Sequence, residues 1–88
     1  MKKIKLSGRE QAVLRAIDYA VGSKGVDIQK TTHIEPGELV DILNGLCAAG
    51  YVEVTPPVEK IEFREYAEQH YEVNPSYAAD LREAMRRA

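Results

Sequence analysis

Apolar residues recur at helical spacing near the start of the chain. Ser7-Gly8-Arg9-Glu10 has the pattern of a capping box, in which a Ser oxygen accepts from the third amide of a helix and a Glu side chain accepts from the Ser amide. The stripe that follows consists of Val13, Leu14, Ile17, Ala20 and Val21. Gly22 suits the left-handed position that ends many helices. These signals predict a helix over residues 8–21.

Two further helices are predicted before residue 50. Asp27 suits the N-cap of a short helix over residues 27–33, whose few apolar residues need support from neighbouring elements. Pro36 suits the first position of the next helix, because its missing N–H costs nothing there. Gly50 ends that helix, so the prediction is residues 36–49, with an apolar stripe of Leu39, Ile42, Leu43 and Leu46.

The second half of the chain carries strand signals and a last helix. Residues 51–55 are rich in strand formers, Pro56-Pro57 ends that run, and residues 71–73 predict a returning strand. Between them, residues 60–66 alternate apolar and charged side chains, which favours a half-buried strand, whereas the spacing of Val58 and Ile61 also allows a helical turn. We predict a wing over residues 51–73. Asn74-Pro75 then begins a helix over residues 75–87, whose apolar side is Tyr77, Ala78, Leu81, Ala84 and Met85.

This order of elements resembles that of the winged helix-turn-helix domain, a mainly α member of the α+β class with a three-helix core, a β-hairpin wing and a C-terminal helix. The run Leu46-Cys47-Ala48-Ala49-Gly50-Tyr51-Val52 is similar to the end of the recognition helix in bacterial winged-helix transcription regulators. The run Tyr71-Glu72-Val73-Asn74-Pro75-Ser76-Tyr77 is similar to the wing strand that leads into their closing helix. The resemblance implies a single domain over residues 1–88 and a small transcriptional regulator that binds double-stranded DNA.

Composition adds charge and compartment to this picture. The single cysteine, Cys47, excludes an intrachain disulfide and indicates a cytoplasmic protein. Apolar runs of only a few residues predict no membrane span. The net charge is −2, but residues 1–30 carry seven Lys and Arg against three Asp and Glu, and residues 31–62 carry one against six. The predicted recognition helix therefore lies in the acidic part of the chain.

The resemblance places a nucleic-acid interface on the third helix and the basic residues around it. Its candidate residues are Gly37, Glu38, Asp41 and Asn44 on the helix, and Lys24, Lys30, Lys60 and Arg64 around it. DNA affinity comes largely from Lys and Arg that neutralise phosphates, and carboxylates on the inserted helix oppose it. An alternative therefore stays open. The domain is then a protein–protein interaction or dimerisation module whose acidic third helix binds a basic partner.

The remaining predictions concern dimerisation and chemistry. A possible homodimer would use the last helix, with Tyr77, Leu81 and Met85 as interface candidates. His33 and His70 belong to no metal-ligand motif, and Cys47 next to an apolar stripe is typical of a small packed hydrophobe. We therefore predict no enzyme activity, no cofactor and no metal.

Overall fold

The structure is a computed structural model that describes residues 4–87. These residues form four α-helices and one three-stranded antiparallel sheet, in the order α1, β1, α2, α3, β2, β3, a short 3-10 turn and α4. The α+β class is therefore as predicted. A single core cluster takes buried side chains from every helix, from β2 and β3 and from the segment between those strands. Helices α1 and α2 pack together, and α3 packs against α1 and β2.

Helix α1 spans Gly8–Ala16, which is five residues shorter than predicted. The predicted capping box is present: the Glu10 amide donates to Ser7 Oγ at 3.1 Å, and the Ser7 amide donates to Glu10 Oε1 at 2.8 Å. The predicted end at residue 21 is wrong because Asp18 Oδ1 accepts from the amides of Ala20 and Val21 and folds them into a turn. Val21 is consequently 66% exposed instead of facing the core.

The pattern predicts a loop at residues 22–25, between the first two predicted helices, but this segment holds a short strand. Strand β1 is Ser23–Lys24, and it pairs with the strand that returns after the wing. Helix α2 then spans Gly25–Thr32 with Lys24 as its N-cap, so the predicted Asp27 cap is wrong by three residues. Gly25 is required there, because a side-chain carbon at this position would overlap the carbonyl oxygen of Tyr66. His33 ends α2 in the left-handed conformation with φ 58°.

Helix α3 and the two long strands agree with the sequence prediction. Helix α3 spans Pro36–Ala48, and Leu39, Leu43 and Leu46 on it are buried. Strand β2 is Val52–Thr55 and strand β3 is His70–Val73, paired antiparallel. The sheet order is β1-β3-β2, so β3 is central and β2 lies at one edge.

Residues 56–69, which we call the wing loop, fold back against α3. The extended structure that we favoured here is wrong, because the amides of Glu65 and Tyr66 both donate to the Glu62 carbonyl and close successive turns. Ile61 is only 2% exposed. The Asn44 side chain of α3 both donates to and accepts from the Ile61 backbone. Asn44 Nδ2 donates to the Ile61 carbonyl at 3.0 Å, and the Ile61 amide donates to Asn44 Oδ1 at 2.8 Å.

The last helix closes the core. Asn74 Oδ1 accepts from the Ser76 amide at 3.0 Å, a 3-10 turn covers Pro75–Tyr77, and α4 spans Ala78–Arg87. Leu81 is fully buried and Met85 is 8% exposed, so these two dimer candidates lie inside the chain's own core and are not available to a second copy. Tyr77 remains 36% exposed. Dimerisation stays a prediction.

The Asn44 anchor gives a test of how the wing loop is held. Asn44→Ala removes both hydrogen bonds and leaves two part-buried backbone groups of Ile61 without partners. The free energy of unfolding, measured in urea, should therefore fall by about 1–3 kcal/mol. Trypsin should also cut the folded variant faster after Lys60 and Arg64. The control is Asp41→Ala on an exposed position of the same helix, which should change stability by within about 0.5 kcal/mol. Equal losses in the two variants would contradict the anchor.

Candidate interaction face of the third helix

The first turn of α3 places carboxylates at the positive end of the helix dipole. Glu35 is the N-cap, and its Oε1 accepts from the Glu38 amide at 3.0 Å. Pro36 follows at the first helical position. At Gly37 a side-chain carbon would lie 3.0 Å from Glu35 Oε1, so glycine leaves room for this cap. The negative charge at the start of α3 is thus compatible with helix stability.

Arg9 of α1 pairs with one of these carboxylates. Its Nε lies 2.9 Å from Glu38 Oε2, and both side chains are largely solvent-exposed. Sequence reasoning missed Arg9, because the contact depends on the packing of α1 against α3 and no spacing within one helix reveals it. No ion pair within residues 4–87 involves Asp41, which is exposed one turn further along.

The outer side of α3 presents one charged and two small residues to solvent. Asp41, Gly45 and Ala48 are exposed along it. Apart from the adjoining residues and the neighbouring α3 backbone, no atom lies within 4 Å of the position that a side-chain carbon would take at Gly45. A partner can therefore approach the α3 backbone closely here, with Asp41 as the charged group at the contact.

Asn44 has a structural role that differs from its predicted one. An asparagine that reads adenine uses both its amide N–H and its carbonyl oxygen. Here the same two groups already bond to the Ile61 backbone. A base contact by Asn44 would require release of the wing loop, so Asn44 functions as the anchor for that loop.

The anchored loop brings further carboxylates next to α3. Glu59 and Glu62 flank Ile61 in sequence and both are exposed. Since Ile61 is bonded to Asn44, the loop segment that carries them is held at α3. We call this surface the acidic face, and it comprises Glu35, Glu38, Asp41, Glu59 and Glu62. Lys60 lies within it, and Arg9 lies at its border.

Two of the other predicted cations lie close to carboxylates of the wing loop. Lys24 Nζ lies 3.9 Å from Glu68 Oε1 at the far end of the wing loop. Arg64 lines a small cavity together with Glu65 and Glu68. Lys30 is exposed on α2. Lys24 and Arg64 are therefore both near Glu68, whereas Lys60 directly precedes the anchored Ile61 in the chain.

Metal and thiol chemistry have little support in this part of the chain. No group of three or more His, Cys, Asp and Glu side chains within residues 4–87 could hold a metal ion. Cys47 is half-buried at the end of α3, and burial raises the pKa of its thiol to about 11. A neutral thiol at physiological pH is a poor nucleophile.

Comparisons with protein-family models, with curated proteins and with solved structures found no match. None of the helices within residues 4–87 has the length and apolar character needed to cross a bilayer. Function is therefore inferred from the geometry and charge of the acidic face.

The raised pKa of Cys47 has two measurable consequences. At pH 8 the folded chain should react with iodoacetamide roughly a hundredfold more slowly than the unfolded chain, because thiolate is the reactive form. Its ordinary pKa of 9.0 applies once the chain unfolds, so ionisation favours the unfolded state. The stability that the neutral thiol contributes is complete below pH 9 and is lost as the pH rises towards 11.

The check is urea unfolding of wild type and Cys47→Ala across that pH range. Wild type should lose more stability than the variant. Burial also raises the pKa of Tyr71, and the charge of the nearby Cys47 adds to that rise. The difference between the two proteins therefore reports the Cys47 thiol together with its effect on Tyr71. Parallel declines, together with fast alkylation of the folded chain, would show that the thiol is solvated.

Proposed function

We propose that this chain is a winged-helix interaction module whose acidic face binds a basic surface of a partner protein. The observation that carries the proposal is the Asn44–Ile61 pair, which ties the carboxylate-bearing segment of the wing loop to α3. The surface that a winged-helix protein would turn towards DNA is thereby negatively charged. A basic protein surface complements it.

The topology supports the winged-helix part of this proposal. The element order α1-β1-α2-α3-β2-β3 and the sheet order β1-β3-β2 are those expected of a helix-turn-helix followed by a small sheet and a wing. Three residues, His33 to Glu35, join α2 to α3. A short turn of this kind is typical of the helix-turn-helix, and the left-handed His33 makes it tight.

Electrostatics favours a protein partner over DNA. Phosphate neutralisation supplies most of the affinity in DNA complexes. The acidic face would bring five carboxylates towards the phosphates, and the exposed Arg9–Glu38 pair offsets only part of that charge. With a basic partner the same carboxylates attract, and the attraction also accelerates association.

A DNA-binding transcription regulator remains the second candidate. The specific observation in its favour is the open surface at Gly45, where the α3 backbone can approach a groove closely. Exposed Lys60 and Arg64 on the wing loop would then contact the DNA backbone. Such binding would be strongly salt-dependent.

The two candidates differ in what Asp41 does. We expect a fluorescent oligolysine to bind wild type at low salt and to bind Asp41→Lys about tenfold more weakly, because an attractive charge becomes a repulsive one at the contact. The matched control is Asp27→Lys, which makes the same charge change at an exposed position of α2. It should weaken binding by less than about twofold. Fluorescence anisotropy measures both affinities.

The same titration with a labelled DNA duplex completes the experiment. We expect no duplex binding by wild type at low salt, a condition in which even non-specific binders associate. Duplex binding that weakens in Lys60→Ala and Arg64→Ala would establish the second candidate instead. Equal weakening of oligolysine binding by Asp41→Lys and Asp27→Lys would show attraction by net charge alone and would contradict a defined face.

A further inference from the structure

Strand β2 has a hydrogen-bonded neighbour on one side only. It is the edge strand of the sheet and pairs with β3 in the register Val52↔Val73 to Thr55↔His70. The Asn74 amide donates to the Tyr51 carbonyl at 2.8 Å, which fixes which residues point their backbone groups towards β3. In an antiparallel pair, the backbone N–H and C=O groups of successive residues point alternately towards the partner strand and away from it. Glu53 and Thr55 therefore face β3, and the N–H and C=O groups of Val52 and Val54 face outwards.

These outward groups have no backbone partner elsewhere in residues 4–87. An open cavity of about 440 Å³ runs along the same edge, and all four residues of β2 line it. Its apolar walls include Cys47 of α3 and Val58 of the wing loop. Two outward N–H and C=O pairs, spaced two residues apart beside a cavity with both apolar and acidic walls, form the arrangement that accepts an added strand.

The solvent side of this edge is negatively charged. Glu53 and Glu72 are directly opposite each other on β2 and β3, and both are exposed. Like charges in this position destabilise a sheet. Only His70 approaches the pair among residues 4–87, with its Nε2 3.5 Å from Glu72 Oε2. A cation from outside would relieve the repulsion.

We propose that the free edge of β2 binds an extended peptide segment of a partner protein, in which basic and apolar side chains alternate. The segment's backbone pairs with Val52 and Val54. Its basic side chains lie over Glu53 and Glu72, and its apolar side chains enter the cavity beside Cys47 and Val58. The inference rests on the basic partner of the proposed function, but it uses none of the five carboxylates of the acidic face.

A second copy of this chain fits the edge less well. Antiparallel pairing of β2 with the β2 of another copy would bring the two Glu53 side chains, each already beside a Glu72, onto one continuous face. Repulsion among four carboxylates opposes that assembly. Pro56 and Pro57 follow β2 directly and limit the pairing length. The edge therefore selects a short, positively charged segment.

Hydrogen exchange on the full chain tests the backbone pairing. The probe is a short synthetic peptide of alternating Lys and Val, added to the uniformly ¹⁵N-labelled protein. We expect the amide exchange of Val52 and Val54 to slow about tenfold or more at saturation, because their N–H groups become hydrogen-bonded. Unchanged exchange of these two amides at saturation would overturn the proposal.

Two isomeric peptides provide a matched control. Each carries N-methyl groups on alternate residues, so that one isomer has lost its edge-facing amides and the other only its solvent-facing amides. One isomer should bind about tenfold more weakly than the other, since only one set of amides pairs with β2. Equal affinity of the two isomers would overturn strand addition. A doubling of the molecular mass without peptide would assign the edge to a second copy and would also overturn the proposal.

Variants separate this inference from the proposed function. Glu53→Lys should weaken the Lys-Val peptide about tenfold by charge reversal at the contact, and Asp41→Lys should leave the protection of Val52 and Val54 unchanged. If Asp41→Lys weakens oligolysine binding but the peptide protects neither valine, the acidic face stands and the edge site fails. If the peptide protects both valines but Asp41→Lys leaves oligolysine binding unchanged, the edge site stands and the acidic face fails.

Discussion

The two hydrogen bonds between Asn44 and Ile61 determine what the second half of the molecule presents to its surroundings. They satisfy both backbone groups of Ile61 at the point where its side chain enters the core. A part-buried backbone group without a partner is costly, so this position on α3 requires a side chain that can donate and accept at once. With Ile61 fixed, residues 56–69 cannot extend β2 and β3 into a longer hairpin. The sheet therefore stays short and the loop covers one side of α3.

The other end of the wing loop is fixed by backbone packing. The amides of Gly25 and Val26 donate to the carbonyls of Gln69 and Ala67, which joins the start of α2 to the loop. The buried Tyr71 hydroxyl donates to the Tyr66 carbonyl at 3.1 Å. Since the loop is held both at Ile61 and near β3, the backbone that carries its carboxylates is fixed. That is the condition under which surface charge can discriminate between partners.

Local signals in the sequence predicted the elements that local interactions build. The Ser7 capping box, the start of α3 at Pro36 and the Asn74 cap all involve residues within a few positions of each other. The errors arise where distant residues decide. Strand β1 exists only because β3 pairs with it, and the alternating residues 60–66 fold into turns because Asn44 captures Ile61. Helix α1 is the exception, since a local Asp18 turn outweighs the apolar pattern at Ala20 and Val21.

The candidate site follows the same division. Glu38 and Asp41 were identified from their places on α3, whereas Arg9 and the free edge of β2 depend on tertiary packing and sheet order. Charge distinguishes the two surfaces physically. Glu35 and Glu38 lie at a helix N-terminus, where negative charge is favourable to folding.

Glu53 and Glu72 have no such compensation, because cross-strand repulsion opposes folding. Charged side chains on an edge strand also prevent the sheet from pairing with the same edge of another copy. The same two carboxylates that keep copies of this chain apart therefore make the edge selective for a positively charged strand.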